Sequence, residues 1–416
     1  MDQKLQELEG IFKMILNAPK SKRSHITIQP IAEENKPQDD GNTLIIQENI
    51  DNLKIIQELK MKILELENTV ENKNQEILYL NKINYKLKND EKDLRNTIFK
   101  IKGSIRVICR IRPTDKECSI KYDNRNICIE EKVYSLDHIY DVNSTQQDVY
   151  EELKPELEAV MEGYNICIFA YGQTGSGKTF TMSGNEHNEG LMFKAMKEFK
   201  YIADMLKHKG FSINFTVKYL EVYNETIIDL LTNQTVTISH DAKGITLKNC
   251  SSVEYKNIEE ALELIKEKSE FRKTGGTNCN SNSSRSHSLF IVSVAIEGNN
   301  EVRYGSLCLI DLAGSERLSL SKAENERLKE TQFINKSLST LGNVIVAMKK
   351  NEQHIPFRDS KLTHLMQDYL SGKSRISMIV HINPENTNES ICSLRFATKA
   401  SECTLRVANK DVTRYL

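Results

Sequence analysis

The sequence predicts an α/β domain that follows a long helical stalk, and three observations support this fold class. Short apolar runs of strand length alternate with helical stretches between residues 103 and 405. A glycine-rich loop at 172–179 follows one of those runs, and residues 56–101 carry an apolar heptad repeat. Alternating strands and helices indicate a sheet that is covered by helices. We therefore expect a central mixed sheet with helices on both faces, preceded by an N-terminal coiled coil.

Charge and composition argue against several classes of protein. The 416 residues include 57 Lys and Arg against 58 Asp and Glu, a formal net charge of −1, so we expect no nucleic-acid partner and any basic site must be local. The nine cysteines contain no C-x-x-C pair, which argues against a zinc site and fits a reducing compartment. We find no signal-peptide pattern and no apolar run long enough to span a membrane.

Residues 1–43 are predicted to be a polar tail and linker. The first eighteen residues have apolar side chains at helical spacing, which fits either a weakly ordered amphipathic tail or a helix that docks on a partner: Leu5, Leu8, Ile11, Met14 and Ile15. The following segment is polar and contains three prolines. Its basic cluster (Lys20, Lys22 and Arg23) is interpreted as solvated charge, a contact for an acidic surface, or a nuclear signal.

Residues 44–102 are predicted to be a coiled-coil stalk and neck. Eleven of the fourteen a and d positions are apolar: Ile56, Ile63, Val70, Ile77, Asn84, Glu91 and Ile98 at a, with Leu59, Leu66, Lys73, Leu80, Leu87, Leu94 and Ile101 at d. β-Branched residues at a with Leu at d favour a parallel dimer, and Asn84 fixes the register. Lys73 and Glu91 leave a homodimer and a heterodimer both open. As a helix, the heptad segment 56–101 would measure about 70 Å, and Gly103 would end it.

Residues 103–405 are predicted to be one large domain. It opens with a strand in which Ile105, Val107, Cys109 and Ile111 alternate with other residues, and Pro113 ends that strand. Further strands are expected at Asn165–Ala170, Asn214–Val222, Ser288–Ile296, Ser306–Ile310 and Ile376–Ile382, with helices at Ile258–Phe271 and Leu328–Met348. Residues 406–416 are expected to be a C-terminal tail.

The glycine-rich loop indicates a phosphate-binding site. It reads GQTGSGKT and matches G-x-x-x-x-G-K-[ST] at every fixed position. Glycines let backbone N–H groups face phosphate oxygens, the Lys178 ammonium adds charge for the β- and γ-phosphates, and the Thr179 hydroxyl can bind Mg²⁺. A strand precedes the loop and a helix follows it, as such a site requires. The phosphate-binding residues are therefore Gly172, Gln173, Thr174, Gly175, Ser176, Gly177, Lys178 and Thr179.

Two further motifs indicate loops that respond to the nucleotide. The segment Asp311–Glu316 (DLAGSE) follows a buried strand, so that Asp311 can hold a magnesium shell and a glycine N–H can contact the γ-phosphate. The hydroxyl-rich run NSNSSRSH at 280–287 precedes another strand. Its hydroxyls can bind Mg²⁺ or position water, and Arg285 could pair with Glu316.

The three motifs, in this order, resemble the P-loop, switch I and switch II of the kinesin motor domain. The segments FAYGQTGSGKTFTM, YLEVYNE, NKSLSTLGNV, HIPFRDSKL and LRFAT resemble further kinesin signatures, and the match covers about residues 104–403. A C-terminal motor that follows a coiled coil through the junction KGSIRV is similar to the minus-end-directed, class-fourteen kinesins. Residues 404–416 show no clear plus-end-type neck linker, which agrees with that class.

The resemblance implies roles for individual residues at the nucleotide site. Thr179 and Ser284 would bind Mg²⁺ directly, and Asp311 would hold it through water. Gly314 would sense the γ-phosphate, while Arg285 and Glu316 would close over it as a salt bridge, with Glu316 relaying a proton from the attacking water. Ser283 is assigned to the same catalytic group. The ribose and adenine would lie near Arg110, Arg112, Pro113 and Phe180.

The resemblance also implies a track. Microtubules are acidic, so basic residues should face them: Lys336, His354, Arg358 and Lys361 fall in the corresponding segments. The helix that begins near Leu328 would move when Gly314 engages phosphate.

The function that we expect is a microtubule motor driven by ATP hydrolysis with Mg²⁺, minus-end directed by analogy, in spindle assembly or in microtubule crosslinking and sliding. It would act in the cytoplasm on the microtubule cytoskeleton, with the nucleus as a further compartment.

Two other functions stay open. One is a microtubule crosslinker that has lost hydrolysis, against which Lys178, Thr179 and Arg285 argue. The other is a GTP-binding switch protein. The guanine-reading motif N-K-x-D is not found, because Asn335-Lys336 is followed by Ser-Leu and Asn409-Lys410 by Asp-Val.

Overall fold

The computed structural model describes residues 40–102, 105–116, 120–241, 244–255, 258–274, 284–316, 325–403 and 410–414. These residues divide between two compact units, with the boundary between Lys86 and Leu87. The helix predicted in the first eighteen residues, the basic cluster that follows it and Ser283 lie outside the described residues. None of the described helices is both long and apolar enough to cross a membrane.

A single helix of 63 residues, α1 (Asp40–Lys102), contains the heptad repeat of residues 56–101. It begins slightly before the stalk predicted from residue 44. The a and d side chains that the structure describes are exposed, for example Leu66 at 58% and Leu80 at 55%. Exposed apolar side chains in a long row are costly in water and favour a partner surface. The structure therefore shows the helix, and its pairing as a coiled coil stays a prediction.

The second unit is built around a mixed sheet. This sheet has twelve strands among the described residues. Its strands are β1 (Arg106–Ile111), β5 (His138–Tyr140), β6 (Asn165–Gly172), β7 (Ser212–Tyr223), β8 (Thr226–Asp229), β9 (Gln234–Asp241), β10 (Gly244–Lys248), β11 (Val253–Tyr255), β12 (His287–Gly298), β13 (Glu301–Asp311), β14 (Ser374–Ile382) and β15 (Asp411–Arg414). A small separate sheet contains β2 (Lys121–Tyr122), β3 (Asn126–Ile129) and β4 (Lys132–Ser135).

Eight α-helices accompany these strands in the described parts of the chain. After α1 they are α2 (Gln146–Val160), α3 (Lys178–Met182), α4 (Leu191–Lys207), α5 (Ile258–Thr274), α6 (Asn325–Lys349), α7 (Lys361–Asp368) and α8 (Thr387–Ser401). A 3₁₀ turn at Phe357–Asp359 precedes α7, and a π-helical turn at Tyr369–Lys373 follows it. The strands and helices predicted from the sequence are confirmed, with ends that differ by a few residues.

The strand order explains why the motifs can meet. The main path runs β10-β9-β8-β7-β12-β13-β6-β14-β1-β5. Four neighbours at its centre, β13, β6, β14 and β1, are parallel, so that their carboxyl ends lie at one edge. β12 is antiparallel to β13 and pairs Ser288 with Asp311, which brings the start of β12 to that same edge. Ligands of such sheets bind at the carboxyl edge of the parallel strands.

Apolar side chains cover both faces of the sheet, as predicted. Along β6, Ile166 and Ile168 point to the face that is covered by α2, α4 and α5, whereas Cys167 and Phe169 point to the face covered by α6, α7 and α8. Burial on both faces also explains β1, whose residues after Arg106 are all buried although the sequence suggested an alternating strand. The sheet is therefore a rigid platform for the loops at its edge.

The C-terminal residues hold a strand that the sequence did not indicate. β15 lies within the predicted tail and pairs antiparallel with residues 301–304 of β13. The Asp411 N–H donates to the Gly163 carbonyl oxygen at 2.9 Å, and Lys410 Nζ lies 3.1 Å from a Glu162 oxygen. The sequence Asp-Val-Thr-Arg is too short and polar to show a strand pattern. Backbone pairing with a long neighbouring strand forms it.

Candidate functional site

The glycine-rich loop turns sharply at the end of β6. Gly172, Gly175 and Gly177 have φ values of 145°, 75° and 104°, which residues with a side chain rarely adopt. A β-carbon on Gly172 would lie 2.2 Å from the carbonyl oxygen of His381 in the adjacent strand β14. Glycine is therefore required at position 172 for two reasons, the backbone angle and the close approach of the His381 carbonyl oxygen.

Lys178 lies inside this loop. Its side chain is buried, and Nζ donates to the carbonyl oxygens of Gly172 and Gln173 at 2.7 and 2.8 Å. Burial lowers the pKa of Lys178, while the negative charges of Asp311 and Glu316 act in the opposite direction. The Lys178 side chain therefore lies at the centre of the loop, where an anionic ligand would offer it further hydrogen-bond acceptors.

Two of the predicted magnesium ligands are in contact. Thr179 Oγ1 donates to Asp311 Oδ2 at 2.7 Å, across the ends of α3 and β13. The third predicted ligand, Ser284, lies beside the loop that follows Asp311, because the Ser284 carbonyl oxygen accepts a hydrogen bond from the Gly314 N–H at 2.9 Å. Mg²⁺ prefers oxygen ligands and is commonly held by one or two side chains with phosphates and water. The residues present therefore fit a magnesium–phosphate group.

The loop that follows β13, Asp311–Glu316, contacts the glycine-rich loop. The Ser315 N–H donates to the Gly172 carbonyl oxygen at 3.1 Å. Both oxygens of the Glu316 carboxylate contact Thr174, one accepting from its N–H at 2.7 Å and the other from its hydroxyl. A β-carbon on Gly314 would lie 2.2 Å from the Thr174 hydroxyl oxygen. The structure thus places Glu316 on Thr174, and the salt bridge with Arg285 stays a prediction.

His287, which sequence reasoning quoted but did not assign, joins this loop to α6. The Ala313 N–H donates to His287 Nδ1 at 3.0 Å. Since Nδ1 accepts, Nε2 carries the ring proton in the neutral form and donates to Ser337 Oγ at 2.8 Å. Ser337 in turn donates to the Ile334 carbonyl oxygen. A buried set of hydrogen bonds therefore runs from the Asp311–Glu316 loop to the middle of α6.

A cavity of about 510 Å³ opens beside the phosphate loop. It contains the four residues expected near the ribose and base: Arg110, Arg112, Pro113 and Phe180. The guanidinium of Arg110 lies 5.3 Å from the centre of the Phe180 ring, and Arg112 donates to the Gly175 carbonyl oxygen at 2.6 Å. The structure brings these predicted residues together, although they come from β1 and α3.

Sequence reasoning assigned no role to three further residues of this cavity region, although Thr181 lies within the quoted segment FAYGQTGSGKTFTM. Gln146 and Thr181 both accept a hydrogen bond from Arg110, and His381 lies 2.7 Å from Thr181. All three side chains are buried. Gln146 is near the start of α2 and His381 is near the end of an apolar strand, so only the three-dimensional pairing of β1, β6 and β14 identifies them.

The four residues predicted to face a microtubule are all exposed. Lys336 lies on α6, His354 follows that helix, Arg358 lies in the 3₁₀ turn, and Lys361 begins α7. These elements cover one face of the sheet. Contact with a track stays a prediction.

The comparisons with known proteins agree with this geometry. The sequence profile of the kinesin motor domain matches residues 81–403. Kinesin-like protein KIN-14N of Oryza sativa subsp. japonica is 40% identical over 353 residues, covering 78% of this chain and 46% of the relative. Kinesin-like protein KIN-14Q of Arabidopsis thaliana is 39% identical over 352 residues, covering 78% and 29%. The chain thus spans less than half the length of these relatives.

Solved structures show the same fold. The motor domain of the Kar3 protein of Saccharomyces cerevisiae has a TM-score of 0.64 at 38% identity, covering 71% of this chain and 99% of that one. A Kar3Vik1 motor and motor homology domain fused to a synthetic heterodimeric coiled coil has a TM-score of 0.67 at 35% identity, covering 84% and 99%. A fast kinesin described for its ATPase mechanism and interactions with microtubules has a TM-score of 0.69 at 29% identity, covering 75% and 94%.

A pH-dependence of stability follows from His381. Burial, with the nearby charges of Arg110 and Lys178, lowers the pKa of His381 from its ordinary 6.5 to about 3. Between these values the unfolded chain binds a proton that the folded chain does not, so this contribution to stability is complete above pH 6.5 and is lost as pH falls. We expect His381→Gln to make the free energy of unfolding of the motor unit less dependent on pH between 7 and 5.

Urea unfolding at several pH values measures this. The exposed His187 provides the control, as His187→Gln should leave the pH-dependence unchanged. If the free energy of unfolding changes equally with pH in the wild-type chain and in the His381 variant, the result would contradict the proposal that His381 is buried as a neutral ring.

Proposed function

The chain belongs to the kinesin family, and we propose that it is a microtubule motor that couples ATP hydrolysis to movement. The observation that carries this proposal is the convergence of Lys178, the Thr179–Asp311 pair and the Gly314 loop at one edge of the sheet. Phosphoryl transfer needs positioning and charge rather than covalent chemistry from the protein. A solved relative is described for its ATPase mechanism and its interactions with microtubules, which supports both ATP hydrolysis and a microtubule track for this chain.

The phosphate loop performs the binding step. Backbone N–H groups of Gly175–Thr179 would donate hydrogen bonds to the phosphate oxygens, and Lys178 would exchange its carbonyl partners for the β- and γ-phosphates. Thr179 and Ser284 would hold Mg²⁺ directly and Asp311 through water, and the ion would neutralise charge that develops on the phosphates. Arg110, Arg112, Pro113 and Phe180 bind the nucleoside end in the adjoining cavity.

The catalytic step uses the two loops beside the phosphates. Gly314 would donate its N–H to the γ-phosphate, which requires it to leave the Ser284 carbonyl oxygen. Glu316 would leave Thr174, pair with Arg285 and relay a proton from the attacking water. Ser283, which lies outside the described residues, is proposed to act with them. On this proposal, Gly314 and Glu316 give up the contacts that they make in this structure when the loops close on the nucleotide.

Coupling to the track uses α6. Movement of the Asp311–Glu316 loop changes the hydrogen bonds of His287 and Ser337, and α6 is the two-state element that responds. The exposed cations Lys336, Arg358 and Lys361, with His354, would meet the acidic surface of the microtubule. Such contacts are expected to weaken strongly as salt concentration rises.

The stalk would convert this change into movement. We propose that two α1 helices form a parallel coiled coil, as a homodimer or a heterodimer, and that the stalk swings about Gly103. The relatives named KIN-14 and the Kar3 structures favour the minus-end-directed class, and with it spindle assembly or microtubule crosslinking and sliding. The site of action would be the cytoplasm and the microtubules of the spindle, with the nucleus as a further compartment.

The two other functions make different predictions. A crosslinker without hydrolysis would bind microtubules but not turn over ATP, and a GTP-binding switch protein would prefer GTP. The contact between Thr179 and Asp311 supports hydrolysis, because these side chains would hold the Mg²⁺ that phosphoryl transfer uses.

Steady-state ATPase assays with and without polymerised tubulin test the proposal. We expect ATP turnover to rise at least tenfold with microtubules, and ATP to be preferred to GTP. Lys178→Ala should abolish turnover because it removes the charge at the centre of the loop. Turnover that microtubules leave unchanged would contradict the motor function.

A second prediction concerns Arg285. We expect Arg285→Ala to leave ADP binding nearly intact and to abolish microtubule-stimulated turnover, because Arg285 acts only when the loops close. ADP affinity and ATPase rate measure the two effects separately. The exposed Arg125 provides a matched control, since Arg125→Ala removes the same charge outside the glycine-rich loop and the two loops that follow the nucleotide. Near-normal turnover of the Arg285 variant would contradict a catalytic role for the proposed salt bridge between Arg285 and Glu316.

A third prediction concerns the stalk. We expect Leu66→Asp with Leu80→Asp to convert a dimer into a monomer, because both leucines occupy d positions of the seam. Asn68→Asp with Gln75→Asp adds the same charge at outward f positions and should keep the dimer. Sedimentation equilibrium of the full chain distinguishes them. A dimer that survives the leucine substitutions would exclude this seam as the dimer interface.

A further inference from the structure

A buried set of hydrogen bonds lies behind the nucleoside cavity. It joins four side chains with exposures of 7% or less, from β1, α2, α3 and β14: Arg110, Gln146, Thr181 and His381. Arg110 Nη1 donates to Thr181 Oγ1 at 2.8 Å and to Gln146 Oε1. Gln146 Nε2 donates to the carbonyl oxygen of Phe180. The set therefore includes Arg110 and contacts Phe180, two of the residues that line the cavity.

The direction of each hydrogen bond is fixed by chemistry. His381 Nδ1 lies 3.1 Å from the carbonyl oxygen of Ile379, which can only accept, so Nδ1 carries the ring proton. In the neutral ring Nε2 must then accept, and the Thr181 hydroxyl donates to it at 2.7 Å. The lone pairs of Thr181 Oγ1 are consequently turned toward Arg110.

The surroundings keep His381 neutral. The ring is fully buried, and the nearest charged groups are the cations Arg110 and Lys178. A second ring proton would add a third positive charge to this region and would take the acceptor away from Thr181. The neutral Nδ1–H ring is therefore the form that completes the network.

We propose that His381 is a positioning residue for nucleoside binding, which acts through Thr181 to hold Arg110 against Phe180. This inference rests on the proposed function, in which that cavity takes the nucleoside of ATP. The guanidinium keeps its place 5.3 Å from the Phe180 ring because Thr181 and Gln146 both accept from it. Without the acceptor on His381, the Thr181 hydroxyl turns and Arg110 loses a fixed partner.

The effect is confined to one end of the ligand. The phosphates would be held by the backbone of the glycine-rich loop and by Lys178. Thr181 joins that loop through a backbone hydrogen bond, from its N–H to the Gly177 carbonyl oxygen at 3.0 Å, and substitution of the His381 or Thr181 side chain leaves that bond in place. Loss of the network should therefore weaken binding of the nucleoside part and spare binding of a bare phosphate chain. A defect in the fold of the glycine-rich loop would weaken both.

The experiment uses the full chain with ADP and inorganic tripolyphosphate as ligands. For His381→Leu we expect the Kd for ADP to rise about tenfold, which corresponds to about 1.4 kcal/mol, while the Kd for tripolyphosphate changes less than about twofold. His381→Gln places an amide oxygen near the position of Nε2 and should restore most of the ADP affinity. Equal losses for both ligands, or unchanged ADP affinity in His381→Leu, would overturn the proposal.

The same hydrogen bond can be removed from its other end. Thr181→Val removes the hydroxyl and should raise the Kd for ADP as His381→Leu does, whereas Thr181→Ser keeps it and should bind normally. The double variant Thr181→Val, His381→Leu should bind ADP no more weakly than either single variant, because the two act through one contact. Additive losses would contradict the shared contact.

Steady-state kinetics separate this inference from the proposed function. In His381→Leu we expect KM for ATP to rise about tenfold while kcat at saturating ATP stays within about twofold, because the phosphate end is unaltered. If the wild-type chain does not turn over ATP, the motor proposal fails, and the comparison of ADP with tripolyphosphate still decides the role of His381.

Discussion

The parallel pairing of β6 with β13 and β14 is the constraint on which the site depends. Its register places Ala170 beside Asp311 and Gly172 beside His381. The chain at Gly172 passes so close to the His381 carbonyl oxygen that no β-carbon fits. The glycine-rich loop, the predicted magnesium ligands and the cavity beside them therefore start from neighbouring strand ends, and side chains more than a hundred residues apart are brought together there.

Two buried histidines connect this edge to its surroundings in opposite directions. His287 accepts from the loop after β13 and donates toward α6, so it connects the phosphate-sensing side with the helix that would face the track. His381 accepts from Thr181 and donates toward Ile379, so it connects the nucleoside side with the sheet. In each case the neutral ring has one donor and one acceptor, and the partners decide which nitrogen carries the proton.

Much of this arrangement could be predicted from the sequence. Apolar runs of strand length and the G-x-x-x-x-G-K-[ST] spacing are local patterns, so β6, β13, the glycine-rich loop and the convergence of Thr179 with Asp311 were accessible. The roles of Gln146 and His381 were not, because a single polar residue in a helix or an apolar strand has no pattern of its own. Thr181 lies within the segment FAYGQTGSGKTFTM, but its partners are distant in sequence. β15 was missed for a related reason, since its pairing with β13 forms it and its four residues carry no alternation.

The most direct measurement of the central claim is the affinity of the full chain for ADP with Mg²⁺ and with the metal chelated, in the wild type and in Thr179→Ala. If one sheet edge holds both metal and phosphates, chelation should weaken ADP binding at least tenfold in the wild type and much less in the variant. Equal ADP affinity with and without Mg²⁺ in the wild type would contradict a joint magnesium–nucleotide site at these strand ends.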